Sequence, residues 1–279
     1  GTQGQGLLRL PDAGRHLSTS SGPLAAALQH YGHLDGLSAD DIEPVFEDEA
    51  GNVWVGTSAG LDRFRHAALV PAHLPGGARN VALAEDASGM LWAGSSNRQV
   101  MRRSAGQWHT TDVAPPINNA FSDARGDVWL GGPNGIWRAH RGVLRRVTAL
   151  PSTIQAEASV RAMARDGDGA LWVSINRSGL FRWHGGAWQL TPSPTSRPSQ
   201  IMPVSATRDT QGRVWFGYRD DLLVMRDGDD IRQWGPQDGL DIGNVAAITA
   251  TRQHVWLAGT NGAALFDGER FHAIASGDP

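Results

Sequence analysis

Short apolar runs alternate with polar turns along this chain, and the spacing of both is regular. Residues 42–66, IEPVFEDEAGNVWVGTSAGLDRFRH, show the unit. Ile42 to Phe46 is a short apolar run suited to a buried strand. Glu47 to Asn52 carries Asp48 and Gly51, residue types that turn a chain tightly. Val53 to Thr57 predicts a second strand, Ser58 to Gly60 a loop, and Leu61 to Arg65 a third strand. A fourth, weaker strand precedes the next unit.

The turn and the second strand share a signature, Asp-x-x-Gly-x-x-Trp. It occurs five times, at Asp48-Gly51-Trp54, Asp86-Gly89-Trp92, Asp123-Gly126-Trp129, Asp166-Gly169-Trp172 and Asp209-Gly212-Trp215. A sixth copy keeps Trp256, with Ala250 and Gln253 in the Asp and Gly places. Successive tryptophans stand 37 to 43 residues apart. Four short strands and one turn signature at a period near 40 make the blade of a β-propeller.

Each signature residue has a physical role. The Asp carboxylate accepts hydrogen bonds from backbone N–H groups of the turn. The Gly takes a positive φ at little steric cost. The Trp is a large apolar body with one N–H donor, suited to the wedge between neighbouring blades. The small residues after it, as in Gly56-Thr57 and Gly259-Thr260, let backbones approach closely. The repeated residues therefore read as scaffold, because a catalytic site would be singular.

The N-terminal Gly1-Thr2 resembles the Gly-Thr of a repeat whose Trp lies upstream. This reading expects an all-β, seven-bladed β-propeller of four-stranded antiparallel blades, the first truncated at the N-terminus. Residues 1–279 form one propeller domain, with repeats centred near Gly1, Trp54, Trp92, Trp129, Trp172, Trp215 and Trp256. The same reading expects a fragment of a longer protein, with the missing strands supplied from outside it or an open seam in the ring. Residues 11–34 exceed the usual outer-strand connection, and PLAAALQHY reads as a short helix or an extended outer strand. Residues 190–203, rich in Pro and Ser, read as a long outer loop.

Composition narrows the function. The net charge of −3 gives no electrostatic footprint for nucleic acid or an anionic membrane. With no cysteine, disulfides, thiol catalysis and Cys-ligated metals are excluded. No apolar run approaches the roughly 18–20 residues that span a bilayer, and GTQGQGLLRL has neither the basic nor the apolar region of a signal peptide. His30 and His33 form the closest histidine pair, with no acid at ligand spacing, so no metal and no cofactor are expected. Glycoside hydrolysis needs two opposed carboxylates, and nothing in the sequence brings Glu43 and Asp220 together. The DGDG run at 166–169 lacks the downstream Glu of a calcium loop.

The segment HLDGLSADDIEPVFEDEAGNVWVGTSAGLDRFR resembles the two-component regulator propeller repeat, and residues 237–260 match it again. The resemblance implies the periplasmic sensor region of a bacterial membrane receptor, a hybrid histidine kinase or a diguanylate cyclase. Its ligand would be a small polar molecule, with carbohydrate one class. The catalytic output domain would lie outside this chain, which would itself be no enzyme. The receptor would be anchored in the inner membrane without direct contact from this segment, and a homodimer is expected in the intact protein.

In such a fold the loops from strand two to strand three and the approaches to strand one point to one funnel. The first set carries Arg98, Asn134, Asn176, Arg177, Tyr218, Arg219, Asp220 and Asn261, and Arg161 lies on an approach. These nine are the candidate ligand-binding residues, since amides, guanidiniums and a phenol suit a polar or acidic ligand. Two alternatives stay open. One is a protein-interaction or dimerisation platform, for which the outer aromatics Trp108, Trp183, Trp188 and Trp234 would be a signal if they formed an exposed patch. The other is a propeller lyase of the streptogramin type, for which His73, His109 and His254 lie nearest strand ends.

Overall fold

A computed structural model describes residues 1–10, 28–49, 51–65, 68–71, 74–75, 77–104, 106–155, 158–251 and 254–274. They form six four-stranded antiparallel sheets, each with its strands in chain order. The sheets occupy residues 42–71, 82–110, 119–148, 160–191, 205–234 and 245–274. The first shows the plan: Ile42–Glu47 innermost, then Val53–Thr57, Gly60–Arg65 and Ala68–Pro71 outermost. Blades consecutive in sequence pack side by side, and each of these five interfaces holds its own apolar cluster.

The blade number corrects the expectation of seven. Among the described residues Leu7–Arg9 pairs with Gln29–Tyr31 in a two-stranded sheet and with no other strand. Gly1-Thr2 enters no strand. The Thr2 carbonyl instead accepts from the Ile42 N–H (2.9 Å), and its hydroxyl donates to the Gly6 carbonyl (2.7 Å). A Gly-Thr pair marks where a second strand ends; it does not supply the inner strands that make a blade. The small sheet covers the first blade through Leu7, Leu37, Ile42 and Val55. Of PLAAALQHY, Gln29–Tyr31 is a strand, and residues 23–27 lie outside the described residues. The 190–203 connection is a loop holding one 3-10 turn, Pro198–Gln200.

The signature holds the blades together through a bond that joins its two ends. The indole Nε1–H donates to Asp Oδ2 in all five copies: Trp54 to Asp48 (2.9 Å), Trp92 to Asp86 (3.0 Å), Trp129 to Asp123 (3.0 Å), Trp172 to Asp166 (2.9 Å) and Trp215 to Asp209 (2.8 Å). The other carboxylate oxygen takes backbone N–H groups of the turn, as at Asn52, Met90, Asp127, Ala170 and Arg213. Each indole buries on the order of 200 Å², worth roughly 5 kcal/mol. Leaving its N–H unpaired inside would cost about 1–3 kcal/mol, so the carboxylate preserves most of that gain.

Arginines lie over three of these rings in pairs, one from each neighbouring blade. Arg63 and Arg103 lie 5.4 and 5.1 Å from the Trp54 ring, Arg138 and Arg165 5.7 and 5.4 Å from Trp129, and Arg182 and Arg226 5.8 and 5.3 Å from Trp172. The own-blade partner follows from register, since Trp54 pairs with Arg63, Trp129 with Arg138 and Trp172 with Arg182 across strands two and three. At Trp215 that position is Met225, and Trp234 stacks on the ring instead at 5.4 Å.

The small residue after each Trp marks a close approach. A Cβ on Gly94 would stand 2.3 Å from Ile117 Cγ2 of the next blade. The outer aromatics pack inward, with Trp108, Trp183, Trp188 and Trp234 lying against the interface clusters. The sixth blade differs. Its second strand, Val255–Gly259, alternates buried and half-buried, whereas Val128–Gly132 and Leu171–Ile175 are buried throughout.

Two outcomes follow for stability. Asp123→Ala should destabilise the protein by about 3 kcal/mol in urea denaturation, because it strips a buried indole N–H and the Arg165 guanidinium of one shared acceptor. An equal midpoint in the variant would refute this role of the carboxylate. Burial alone would raise the carboxyls of Asp86, Asp123 and Asp209, but their hydrogen bonds, the indole among them, hold each below the ordinary value. Depressed carboxyls contribute stability above the unfolded-state pKa and lose it as pH falls through the folded one. The denaturation midpoint should therefore be flat just above pH ~4 in respect of these groups and drop below it.

Candidate funnel site

The loops between strands two and three and the connections entering strand one are stitched together on one face. Ser58 N–H donates to the Asp41 carbonyl, Ser96 to Arg79, Asn176 to Ser159 and Asn261 to Ile242, each loop held by the approach to its own blade. Other bonds cross to the next blade, as from Ile117 to Ser95, from Asp221 to Gly243 and from Val245 to Tyr218. The signature turns lie at the opposite end.

Backbone strain concentrates on the funnel face. Five described non-glycine residues hold left-handed φ, and four of them, Asn80 (48°), Arg177 (59°), Asp220 (54°) and Asp221 (55°), lie there. Such a conformation costs an ordinary L-residue roughly 1–2 kcal/mol; Asn and Asp adopt it more readily, so on this face the strain falls chiefly on Arg177. In the 218–221 loop the strain is held by side chains. Asp221 Oδ1 accepts from the Ile242 and Gly243 N–H groups, both at 2.6 Å. Gln200 is buried beneath the loop, and its amide donates to the Arg219 and Asp220 carbonyls at 3.0 and 3.2 Å. Ser199 Oγ donates to Asp220 Oδ2 at 2.5 Å.

The candidate residues fall into separate groups. Arg219 and Asp220 are exposed beside half-buried Asn244, and the Asn261 amide lies close to Gly243. Arg177 is exposed at the tip of its own loop, next to half-buried Asn176. Arg161 is exposed on the fourth blade's inner strand, where its carbonyl accepts from Asn119 Nδ2 (3.1 Å). Arg98 is exposed, and its N–H donates to Ser95 Oγ. Asn134 sits farther out, its amide on the Pro115 carbonyl (3.4 Å). Among the described residues no hydrogen bond joins Arg98, Arg161, Arg177 and Arg219 to one another.

Tyr218 is placed differently from the reading of it as a funnel donor. It is 1% exposed and packs with Trp172, Phe216 and Leu222 between the fourth and fifth blades. Burial raises its phenol far above the ordinary value, and nearby Arg226 opposes that only in part. Gln200 and Ser199 escaped the sequence reading because they lie in the Pro- and Ser-rich connection, where a polar residue signals nothing.

Glu43 lies on the first inner strand, at a register irregularity that the Val160–Arg165 strand repeats at Arg161. It is open to water yet surrounded by protein. That surrounding protein, and then Asp41, push its carboxyl up to about 7. Nothing joins Glu43 to Asp220, and among the described residues no group of three His, Asp or Glu could hold a metal ion. His73 lies outside the described residues. His109 is on the outer strand Gln107–Thr110, and His254 precedes a second strand, at the end away from the funnel. A raised carboxyl favours the folded state below the unfolded value of 4.5 and loses that contribution as pH rises through 7. Glu43→Gln should therefore leave stability unchanged near pH 4 and raise it at pH 8. An equal gain at both pH values would show that ionisation is not the cause.

No protein-family model matches the sequence, and no curated protein sequence matches it. The fold does have solved counterparts. Virginiamycin B lyase from Staphylococcus aureus superposes with a TM-score of 0.67 at 18% identity, over 83% of this chain and 83% of that one. YCF48 bound to D1 peptide gives 0.62 at 16%, over 83% and 80%. The extracellular domain of the putative hybrid two-component system BT3049 from B. thetaiotaomicron gives 0.56 at 15%, over 89% of this chain and 47% of that domain. At these identities what is shared is the propeller of four-stranded blades, found alike in a lyase, a peptide complex and the extracellular part of a signalling system.

Proposed function

We propose that this chain is the ligand-sensing propeller of a bacterial two-component or cyclic-di-GMP signalling receptor, lying in the periplasm and binding a small polar ligand in the funnel. The observation that carries the reading is the strain at Arg177, Asp220 and Asp221. Turns elsewhere on this scaffold use glycine for the same conformation, as at Gly51, Gly89, Gly126, Gly169 and Gly212. Keeping Arg and Asp at such positions costs stability and fixes the direction of charged side chains at the mouth of the funnel. The likeness to extracellular domains of two-component systems supports the same reading. Among the described residues no helix is long and apolar enough to cross a membrane, so in this reading the anchor and output domain belong to other segments. Binding passes a signal only if the ligand has unequal affinity for two receptor arrangements.

A second reading, a protein-interaction platform without small-ligand binding, is favoured by the half-buried outward face of the sixth blade at Trp256, Ala258 and Ala263. The two part in a thermal-shift screen against sugars, sugar acids, amino acids and small peptides. A sensor should show a saturable rise in Tm with one ligand class. Arg219→Ala and Arg177→Gly should abolish that rise. Glycine adopts φ 59° without strain, so Arg177→Gly should fold at least as well as the parent. If no compound shifts Tm of the folded protein, the platform reading replaces the sensor.

A further inference from the structure

A cleft of about 540 Å³ lies on the third blade, between the loop that joins its second and third strands and the connection that follows its outermost strand. Its walls are the loop at Pro133 and Asn134 and the connection 149–155. Its floor is apolar: Trp137, Leu150 and Ile154 extend the clusters on the two sides of the blade. No lining residue is acidic, in a chain of net charge −3.

Arg146 stands over this floor. Its guanidinium lies 5.9 Å from the Trp137 ring, and one Nη2 N–H donates to the Asn134 carbonyl at 2.5 Å. That bond and the ring steer the side chain across the cleft. Among the described residues it has no carboxylate partner. The signature arginines differ, since Arg138, Arg165, Arg182 and Arg213 each face an Asp. The Gln155 side chain is exposed at the lip, and among the described residues its amide has no hydrogen-bond partner.

We infer that this cleft is a binding site for a small organic carboxylate with an apolar ring or chain. The carboxylate takes the free N–H groups of Arg146, the pairing for which a planar guanidinium is suited. The ring lies on Leu150, Ile154 and the edge of Trp137, and Gln155 closes the lip. A bare anion gains only the first of these contacts and a neutral ring only the second, so the site selects molecules that carry both. Of the nine funnel candidates it takes in Asn134, and Arg98, Arg161, Arg177 and Arg219 do not line it.

The test uses 4-fluorobenzoate as probe, followed by 19F NMR line broadening on the whole chain. Saturable binding is expected, displaced by benzoate and cyclohexanecarboxylate. Acetate and benzamide should compete roughly tenfold less well or worse, each lacking one half of the recognition. Arg146→Gln should weaken binding by about tenfold or more. Gln155→Glu, which adds a charge at an exposed lip without touching the blades, should weaken it similarly. Arg177→Gly and Arg219→Ala should leave it unchanged. The inference is overturned if the probe does not saturate, if Arg146→Gln binds it as tightly as the parent, or if only the funnel variants lose it. The last outcome would assign the probe to the funnel and leave the sensor reading standing.

Discussion

An indole buried between two blades brings an N–H group that must find an acceptor inside the protein. In this propeller the acceptor is the Asp of the preceding turn, six residues back in sequence and within 3.0 Å in all five signatures. The carboxylate is then fixed from two sides, by the ring and by the backbone of the turn. The turn must be tight enough to bring it there, which is why glycine follows at positive φ. Wedge, turn and charge thus form one unit, and losing any member exposes the cost of the others. The sixth blade shows the converse. Ala250 replaces the acceptor, and Trp256 lies half-buried, where its N–H is not forced to find a protein partner.

The carboxylates also set where the arginines go. Arg165, Arg182 and Arg213 face the signature carboxylates Asp123, Asp166 and Asp209, and Arg138 faces the neighbouring Asp127, each while lying over a ring. Each paired ring meets one arginine from its own blade and one from the next, so charge bridges the interface that the indole fills. Contacts of this kind are worth about 0.5–2 kcal/mol each, less than the apolar burial. They add direction, since a guanidinium over a ring resists sliding of one sheet past another.

The period, the turns and the strand boundaries were legible in the sequence because they are local and repeat. Asp48 and Trp54 are visible as a pair, yet the bond between them depends on a hairpin that folds residue 54 back onto residue 48. The second arginine over each ring was not legible, because Arg103, Arg165 and Arg226 come from the next blade. Blade number was misread at Gly1-Thr2, where the mark of a strand end stood without the strands. Among the site residues, Arg98, Arg177, Arg219 and Asp220 are exposed on loops, and Arg161 is exposed at a register irregularity on an inner strand. Tyr218 is not, because it continues the apolar contacts of Phe216 into the gap beside Trp172. A polar-tipped ring after a strand reads as loop in sequence and packs as core in space.

Net charge hides a division of labour among the arginines. One population is consumed by the scaffold, over indoles and against buried carboxylates. Arg98, Arg146, Arg161, Arg177 and Arg219 form no ion pair among the described residues, and each lies on a funnel loop, an approach or an outer wall of the same end. The signature turns lie at the other end. Loops at the funnel end can change their side chains without disturbing an Asp–Trp bond, while their backbone bonds still join one blade to the next. The funnel end therefore carries charges of both signs, these arginines beside Asp41, Glu43, Asp220 and Asp221, while the signature turns at the other end keep theirs paired with rings and backbone.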